Sequence, residues 1–269
     1  MTVETRDYVL KQINGDTLTP IAIYEALQGQ QKVLFESNAK FKDSGRYSFI
    51  ALDPIGELKG DGEACMYQFQ GQAQQTIQKP VLTTLKELLP IRKEPYPFAF
   101  FGGAIGYFGY ETAFHFENIG EIVGDVYNMP DVHVFFYDQF IVIDHLKQQV
   151  SIVVIDLLQQ GRSEQDMLDA VKKIETQITQ NVIHPEAAVG DVHFTPIIEK
   201  ARFIEMVETA KEHIRRGDIF QVVLSQTFEA KFNENPFSLY RKLRTTNPSP
   251  YMFYMDFGPY TLLGTSPES

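Results

Sequence analysis

The run Gly217-Asp218-Ile219-Phe220-Gln221-Val222-Val223-Leu224-Ser225-Gln226 sets two side-chain amides, Gln221 and Gln226, in an otherwise apolar stretch. Its apolar residues define no single face, which is the pattern of a central strand buried on both sides, and the strand is expected to run from Phe220 to Lys231. An amide buried there costs free energy if left unpaired. Gln221 and Gln226 therefore either satisfy neighbouring backbone or present themselves to a polar ligand, and the pattern leaves both open. A neutral amide orients a reactant but cannot serve as a base.

Other motifs carry less chemistry. The run from Gly102 to Tyr110 is glycine-rich, yet its spacing is not G-x-G-x-x-G and aromatic residues follow it, so a bent, close-packed strand is expected instead of a dinucleotide loop. The six histidines show neither H-x-H nor H-E-x-x-H spacing, which argues against a zinc centre. No Walker loop or G-x-S-x-G elbow is present. Cys65 is the only cysteine, so an intrachain disulfide is impossible and a reducing compartment fits.

The elements that must position these residues are short strands interrupted by a few amphipathic helices. Strands are expected at Lys32 to Phe35, Tyr47 to Leu52, Met66 to Gln70, Phe98 to Gly102, Val132 to Asp144 and Val150 to Ile155. Turn residues at Asp53-Pro54, Gly60-Asp61-Gly62 and Gly71 imply antiparallel connections. Met167, Ala170, Val171, Ile174 and Ile178 follow helical spacing behind the N-cap candidate Ser163. Asn181 to Pro196 loses periodicity and reads as a connector. Beyond it, Phe203, Val207, Ala210 and Ile214 share a helix face that ends at Gly217 after two arginines. Asn235-Pro236 opens another helix to Thr245, and Tyr251 to Gly264 forms a hairpin about Gly258-Pro259.

The chain has 269 residues, 43 % of them hydrophobic, and a formal net charge of −11 without a basic block, which disfavours nucleic acid as a partner. No apolar stretch reaches the ~18 residues of a membrane span, and the first residues lack the layout of a secretory signal, so a cytoplasmic protein is expected.

Leu34-Phe35-Glu36-Ser37, Gly45-Arg46-Tyr47-Ser48-Phe49-Ile50, the amide run above, Asn247-Pro248-Ser249-Pro250-Tyr251-Met252 and Gly264-Thr265-Ser266-Pro267-Glu268-Ser269 together resemble the chorismate-utilising enzymes. The resemblance is closest to the large subunit, component I, of anthranilate synthase. It covers nearly the whole chain and implies an N-terminal fragment of such a protein, with Thr227 standing where arginine is the family's residue. The implied fold is α+β, layered antiparallel β-sheets with peripheral helices. The implied regions are a regulatory one over residues 1–181 and the start of an incomplete chorismate-binding one over residues 193–269.

The activity implied by the resemblance is that of a lyase converting chorismate and ammonia to anthranilate and pyruvate, the first step of tryptophan biosynthesis. Ammonia would come from a glutamine amidotransferase subunit, and Mg²⁺ ligands would lie beyond Ser269. By the same resemblance Gln221 orients ammonia, where related isochorismate-forming enzymes carry a lysine that activates water, and Glu268 protonates the departing ring hydroxyl. Read alone, Gln221 is a core amide and Glu268 a solvated carboxylate. Feedback inhibition by L-tryptophan is implied at Glu36, Ser37, Pro250, Tyr251 and Met252. A carboxylate and a hydroxyl suit an ammonium group, and Pro and Met suit an indole. The plain alternatives are a strand-end cap at Ser37 and a packed hairpin at Pro250 to Met252. Aminodeoxychorismate synthase component I and a non-catalytic tryptophan-binding module are the rival assignments.

Overall fold

A computed structural model describes residues 7–37, 45–90, 102–120, 127–180 and 190–267. The chain opens with β1 (Tyr8–Asn14), α1 (Pro20–Ala26), β2 (Val33–Glu36), β3 (Tyr47–Ala51), β4 (Gly56–Gly60), β5 (Cys65–Phe69), β6 (Gln75–Ile77) and α2 (Val81–Leu88). Next come β7 (Gly103–Phe108), a 3-10 turn at Tyr110–His115, β8 (Val132–Tyr137), β9 (Gln139–Asp144), β10 (Gln149–Ile155) and α3 (Glu164–Thr179). The remainder holds β11 (Thr195–Pro196), α4 (Lys200–Arg216), β12 (Phe228–Glu229), α5 (Pro236–Thr246), β13 (Tyr251–Asp256) and β14 (Thr261–Ser266).

Two antiparallel sheets organise these elements. The first has the order β1-β10-β9-β3-β2-β13-β14 and the second β6-β5-β4-β8-β7. One core cluster draws on both, joining Val33, Ala51, Val142, Val153 and Met255 from the first sheet to Ile105, Phe135 and Tyr137 from the second. β10 alternates with the strand period of two: Val153 and Ile155 enter this inter-sheet core, while Ile152 and Val154, equally buried, point to the opposite face. There α3 covers the sheet with Met167, Val171, Ile174 and Ile178. A second cluster of Leu58, Cys65, Phe69, Val132, Val134 and Phe136 takes in Val81 from α2, so that helix closes the far side of the second sheet. The layered α+β architecture is therefore present.

Local chemistry starts and stops the helices where the sequence places them. The Ser163 hydroxyl accepts from the Asp166 amide at 3.1 Å and caps α3. At the end of α4, Gly217 adopts φ +79°, where a side chain would be strained, and its amide returns to the Ile214 carbonyl. Lys32 Nζ ties off α1 by donating to the carbonyls of Tyr24 and Leu27.

Two expectations need correction. Val132 to Asp144 is two strands in different sheets, broken at Asp138; the polar pair Asp138-Gln139 interrupts the apolar run, but nothing local tells a crossing between layers from a kink within one strand. Phe220 to Lys231 is not a central strand. Only Phe228–Glu229 pairs, with Thr195–Pro196, and Phe220 and Val223 are 96 % and 82 % exposed. Among the described residues no strand flanks 220–225, and a two-sided apolar strand needs neighbours on both edges. The strand expected over Phe98 to Gly102 falls mainly outside the described residues.

By compactness the chain divides into Met1–Pro185 with Tyr240–Ser269, and Glu186–Leu239. The C-terminal hairpin, expected with the second region, thus adds two strands to the edge of the first sheet.

Candidate functional site

The early Leu-Phe-Glu-Ser motif and the late Pro-Tyr-Met motif meet on adjacent strands. β2 is held by its buried Val33 and Leu34, and it pairs with β13 in the register Glu36 opposite Met252, Phe35 opposite Phe253 and Leu34 opposite Tyr254. Met252 is buried, Pro250 half-buried and Tyr251 largely exposed. Ser37 follows directly, and its Oγ is buried without a hydrogen-bond partner among the described residues. β14 returns alongside, with Met252 opposite Thr265 and Tyr251 opposite Ser266.

Glu36 is buried, and its carboxylate is already engaged. Oε2 accepts from the Tyr240 hydroxyl at 2.6 Å and from Arg244 Nε at 2.9 Å, and Oε1 accepts from Arg244 Nη2 at 2.8 Å. Tyr240 and Arg244 stand four apart on α5, on one helical face. Arg241 on the same helix reaches Glu25 at 2.9 Å. The Tyr240 ring is fully buried against Tyr254, which in turn meets Tyr24. Burial, with the Glu36 carboxylate beside it, pushes the Tyr240 phenol far above its ordinary range, so it stays a hydrogen-bond donor. Nearby, His145 shares a 2.7 Å hydrogen bond with Ser48 Oγ, and Arg46 pairs with Asp144 at 2.9 Å.

Neither Tyr240 nor Arg244 was marked by the sequence. Their one local signal is the i, i+4 spacing, and nothing local ties them to a residue more than two hundred positions away.

Gln221 is exposed in an extended stretch outside any strand, and Glu268 lies outside the described residues. Gln226 takes the structural option: its side-chain amide accepts from the Ile198 amide at 3.1 Å and donates to the Ile198 carbonyl at 2.6 Å, as a neighbouring strand would. Among the described residues no three His, Cys, Asp or Glu side chains converge on one point. A polar cleft of about 640 Å³ opens elsewhere, lined by Gln31, Asp53, Gln70, Asp138 and Arg162. None of the sequence-predicted residues that the structure describes lines it. The strand register is the better guide to function, since it joins two motifs remote in sequence.

With this geometry in place, the comparisons fix the class. A family described as chorismate binding enzyme matches residues 26–269, and the chain belongs to that family. The anthranilate synthase component 1 of Acetivibrio thermocellus is 33 % identical over 99 % of this chain and 58 % of its own length. The crystal structure of anthranilate synthase component I from Streptococcus pneumoniae superposes with a TM-score of 0.73 at 35 % identity, covering 96 % of this chain and 57 % of that one. The menaquinone-specific isochorismate synthase of Escherichia coli shares the fold, with a TM-score of 0.59 at 13 % identity over 98 % of this chain and 51 % of that one. The chain thus spans little more than half the length of the anthranilate synthase components it matches.

Proposed function

We propose that the chain is the N-terminal part of an anthranilate synthase component I, with residues 1–181 regulatory and residues from 193 opening the chorismate-binding region. In the whole protein, cytoplasmic by this reading, chorismate and ammonia from a glutamine amidotransferase subunit yield anthranilate, pyruvate and water. Gln221 would orient the ammonia, and Glu268 would give its proton to the ring hydroxyl as that group leaves as water. Mg²⁺ enters only with ligands beyond Ser269. Gln221 lacks any enclosing strand among the described residues, so this chain by itself is expected to form no anthranilate. Anthranilate fluorescence from purified chain given chorismate and ammonium would overturn that.

The regulatory part of the reading rests on one observation: antiparallel pairing of β2 with β13 sets Glu36 against Met252, beside a Ser37 hydroxyl that has no hydrogen-bond partner among the described residues. Such a place offers a polar end and an apolar wall, as an aromatic amino acid requires. The chain contains no tryptophan, so the fluorescence of added L-tryptophan reports its own binding. A saturable change in the native chain, lost in Ser37→Ala or Met252→Ala, is the expected result. The same geometry serves a non-catalytic tryptophan-binding module, and chorismate binding by equilibrium dialysis separates the two.

A further inference from the structure

Gln31, which precedes β2, and Asp53, which follows β3, border the polar cleft of about 640 Å³, at the end of β2 remote from Glu36. Two further hollows, of about 420 and 240 Å³, share its lining. The larger does so through Asp138, Arg162 and Asp166 and the smaller through Gln31 and Gln70, so the three form one trough. Sites for small organic molecules commonly measure about 300–1,000 Å³, and the cleft falls within that range.

The wall carries three carboxyl groups, Asp53, Asp138 and Asp166, against one guanidinium, Arg162. One oxygen of each carboxyl group is taken by the fold. Asp53 Oδ1 accepts from the Gln30 amide at 2.8 Å, Asp166 Oδ2 from the Ser163 hydroxyl at 2.6 Å, and Asp138 Oδ2 from Arg162. Gln70 Nε2 donates to the Pro54 carbonyl at 2.9 Å and Gln139 Nε2 to the Leu52 carbonyl at 3.3 Å, which turns their oxygens toward other donors. The trough therefore offers more acceptors than donors, under a negative field. Chorismate and anthranilate, both anions, would be repelled from it.

Asp138 is the most buried of the three, its side chain 9 % exposed, and burial raises its carboxyl to about 6 in spite of Arg162. Its charge is incompletely compensated, so a further cation would be favoured beside it. Asp156 also borders the trough, but its carboxylate accepts from the amides of Gln160, Gly161 and Arg162 at 3.0, 2.7 and 3.1 Å and holds the loop that presents Arg162. Asp53, at φ +50°, is fixed by a second bond from its own amide to the Gln30 carbonyl at 3.0 Å. The charges are thus in place before a ligand arrives. Among the described residues no three acidic side chains converge on one point, so the negative charge is strung along the trough. Ile55, Leu157 and Leu158, half-buried, line the same surface.

We propose that this trough binds a linear polyamine. Its separated ammonium groups meet the free oxygens of Asp53, Asp138 and Asp166, and the methylenes between them lie on Ile55, Leu157 and Leu158. An inorganic cation gains nothing from those apolar side chains, and a monoamine reaches only one of the carboxylates.

The test is calorimetric titration of the full 269-residue chain with spermidine in about 0.15 M NaCl, where loose attraction to surface charge is screened. One saturable site is expected, from which an equal concentration of Mg²⁺ does not displace spermidine. Asp53→Asn with Asp166→Asn keeps an oxygen for the Gln30 amide and the Ser163 hydroxyl while removing two charges, and it should weaken spermidine at least fivefold. Glu205→Gln with Glu208→Gln removes two charges from exposed positions on α4 and should leave binding unchanged. Asp166→Asn alone, also at an exposed position, should cost at least twofold and carries the test if the double cleft variant does not fold. No saturable binding, displacement by equal Mg²⁺, undiminished binding in the cleft variants, or an equal loss in the α4 variant would each overturn the proposal.

Discussion

Glu36 and Arg244 show how a charged residue can be necessary yet add little stability. Two ions buried together gain from each other about what they lose in hydration, whereas a single stranded one does not. Arg244→Met alone should therefore destabilise the chain by ~3–5 kcal/mol, and adding Glu36→Gln should recover most of that loss; urea unfolding of the two variants measures the difference. Asp138, at the break between β8 and β9, is a different case. Burial outweighs its Arg162 partner and raises its carboxyl from 3.8 to about 6. The folded chain then holds this proton over a range where the unfolded chain has released it, so stability falls as pH rises from about 4 to about 6. Asp138→Asn should flatten that segment of the stability profile, and unfolding midpoints at about pH 4 and 6.5 would show it.

Among elements, the hairpin β13–β14 matters most, because it carries the Pro250 to Met252 wall and leads to Pro267. Its turn is fastened to the second sheet. The Tyr260 hydroxyl shares a 2.5 Å hydrogen bond with His133 Nδ1 on β8, and its ring stacks on Phe257 at 5.0 Å. His133 Nε2 comes to 2.8 Å from Glu57 Oε1. Together with Lys59 it holds the Glu57 carboxyl down to about 2. Tyr260→Phe should leave the fold intact while hastening amide hydrogen exchange across β14, and unchanged exchange would show that stacking alone fixes the turn. β7 depends on Gly106 for another reason. A Cβ there would stand 1.9 Å from the His133 carbonyl and 2.6 Å from Val134 Cα, both backbone atoms that cannot turn aside. Gly106→Ala should cost at least ~1–3 kcal/mol, seen as a lower thermal midpoint.

The elements were legible in proportion to how local their causes are. Ser163, Gly217 and Gly258 mark a cap, a helix end and a turn through chemistry within a few residues, and each falls where expected. β1, α1 and α2 escaped because each runs for only seven or eight residues, too short to display a period, even though Thr19 and Pro20 mark the start of α1. The split of β8 from β9 escaped because the polar pair Asp138-Gln139 between two apolar runs does not say that they belong to different sheets.

At the scale of the whole molecule, the unit Glu186–Leu239 differs from the layered one. α4 buries none of its residues, and Ile204, Ile214, Phe220, Val222, Val223 and Phe228 are exposed. With little apolar burial to hold its amides, residues 218–228 should exchange within seconds, while β9 and β10 stay protected up to global unfolding; exchange read by mass spectrometry distinguishes them. Comparable protection in both would contradict the exposure seen here.

The sequence by itself determined the family, the antiparallel layered class and the two motifs that meet on β2 and β13. These follow from strand period, caps, turns and recognisable runs, all of which act over short distances along the chain. Only the tertiary structure decided that Glu36 is spoken for by Tyr240 and Arg244, and that Gln226 bonds to the Ile198 backbone while Gln221 lies exposed. A buried charge or amide takes whichever partner the packed layers bring to it, and residues far apart in sequence carry no local mark of having been brought together.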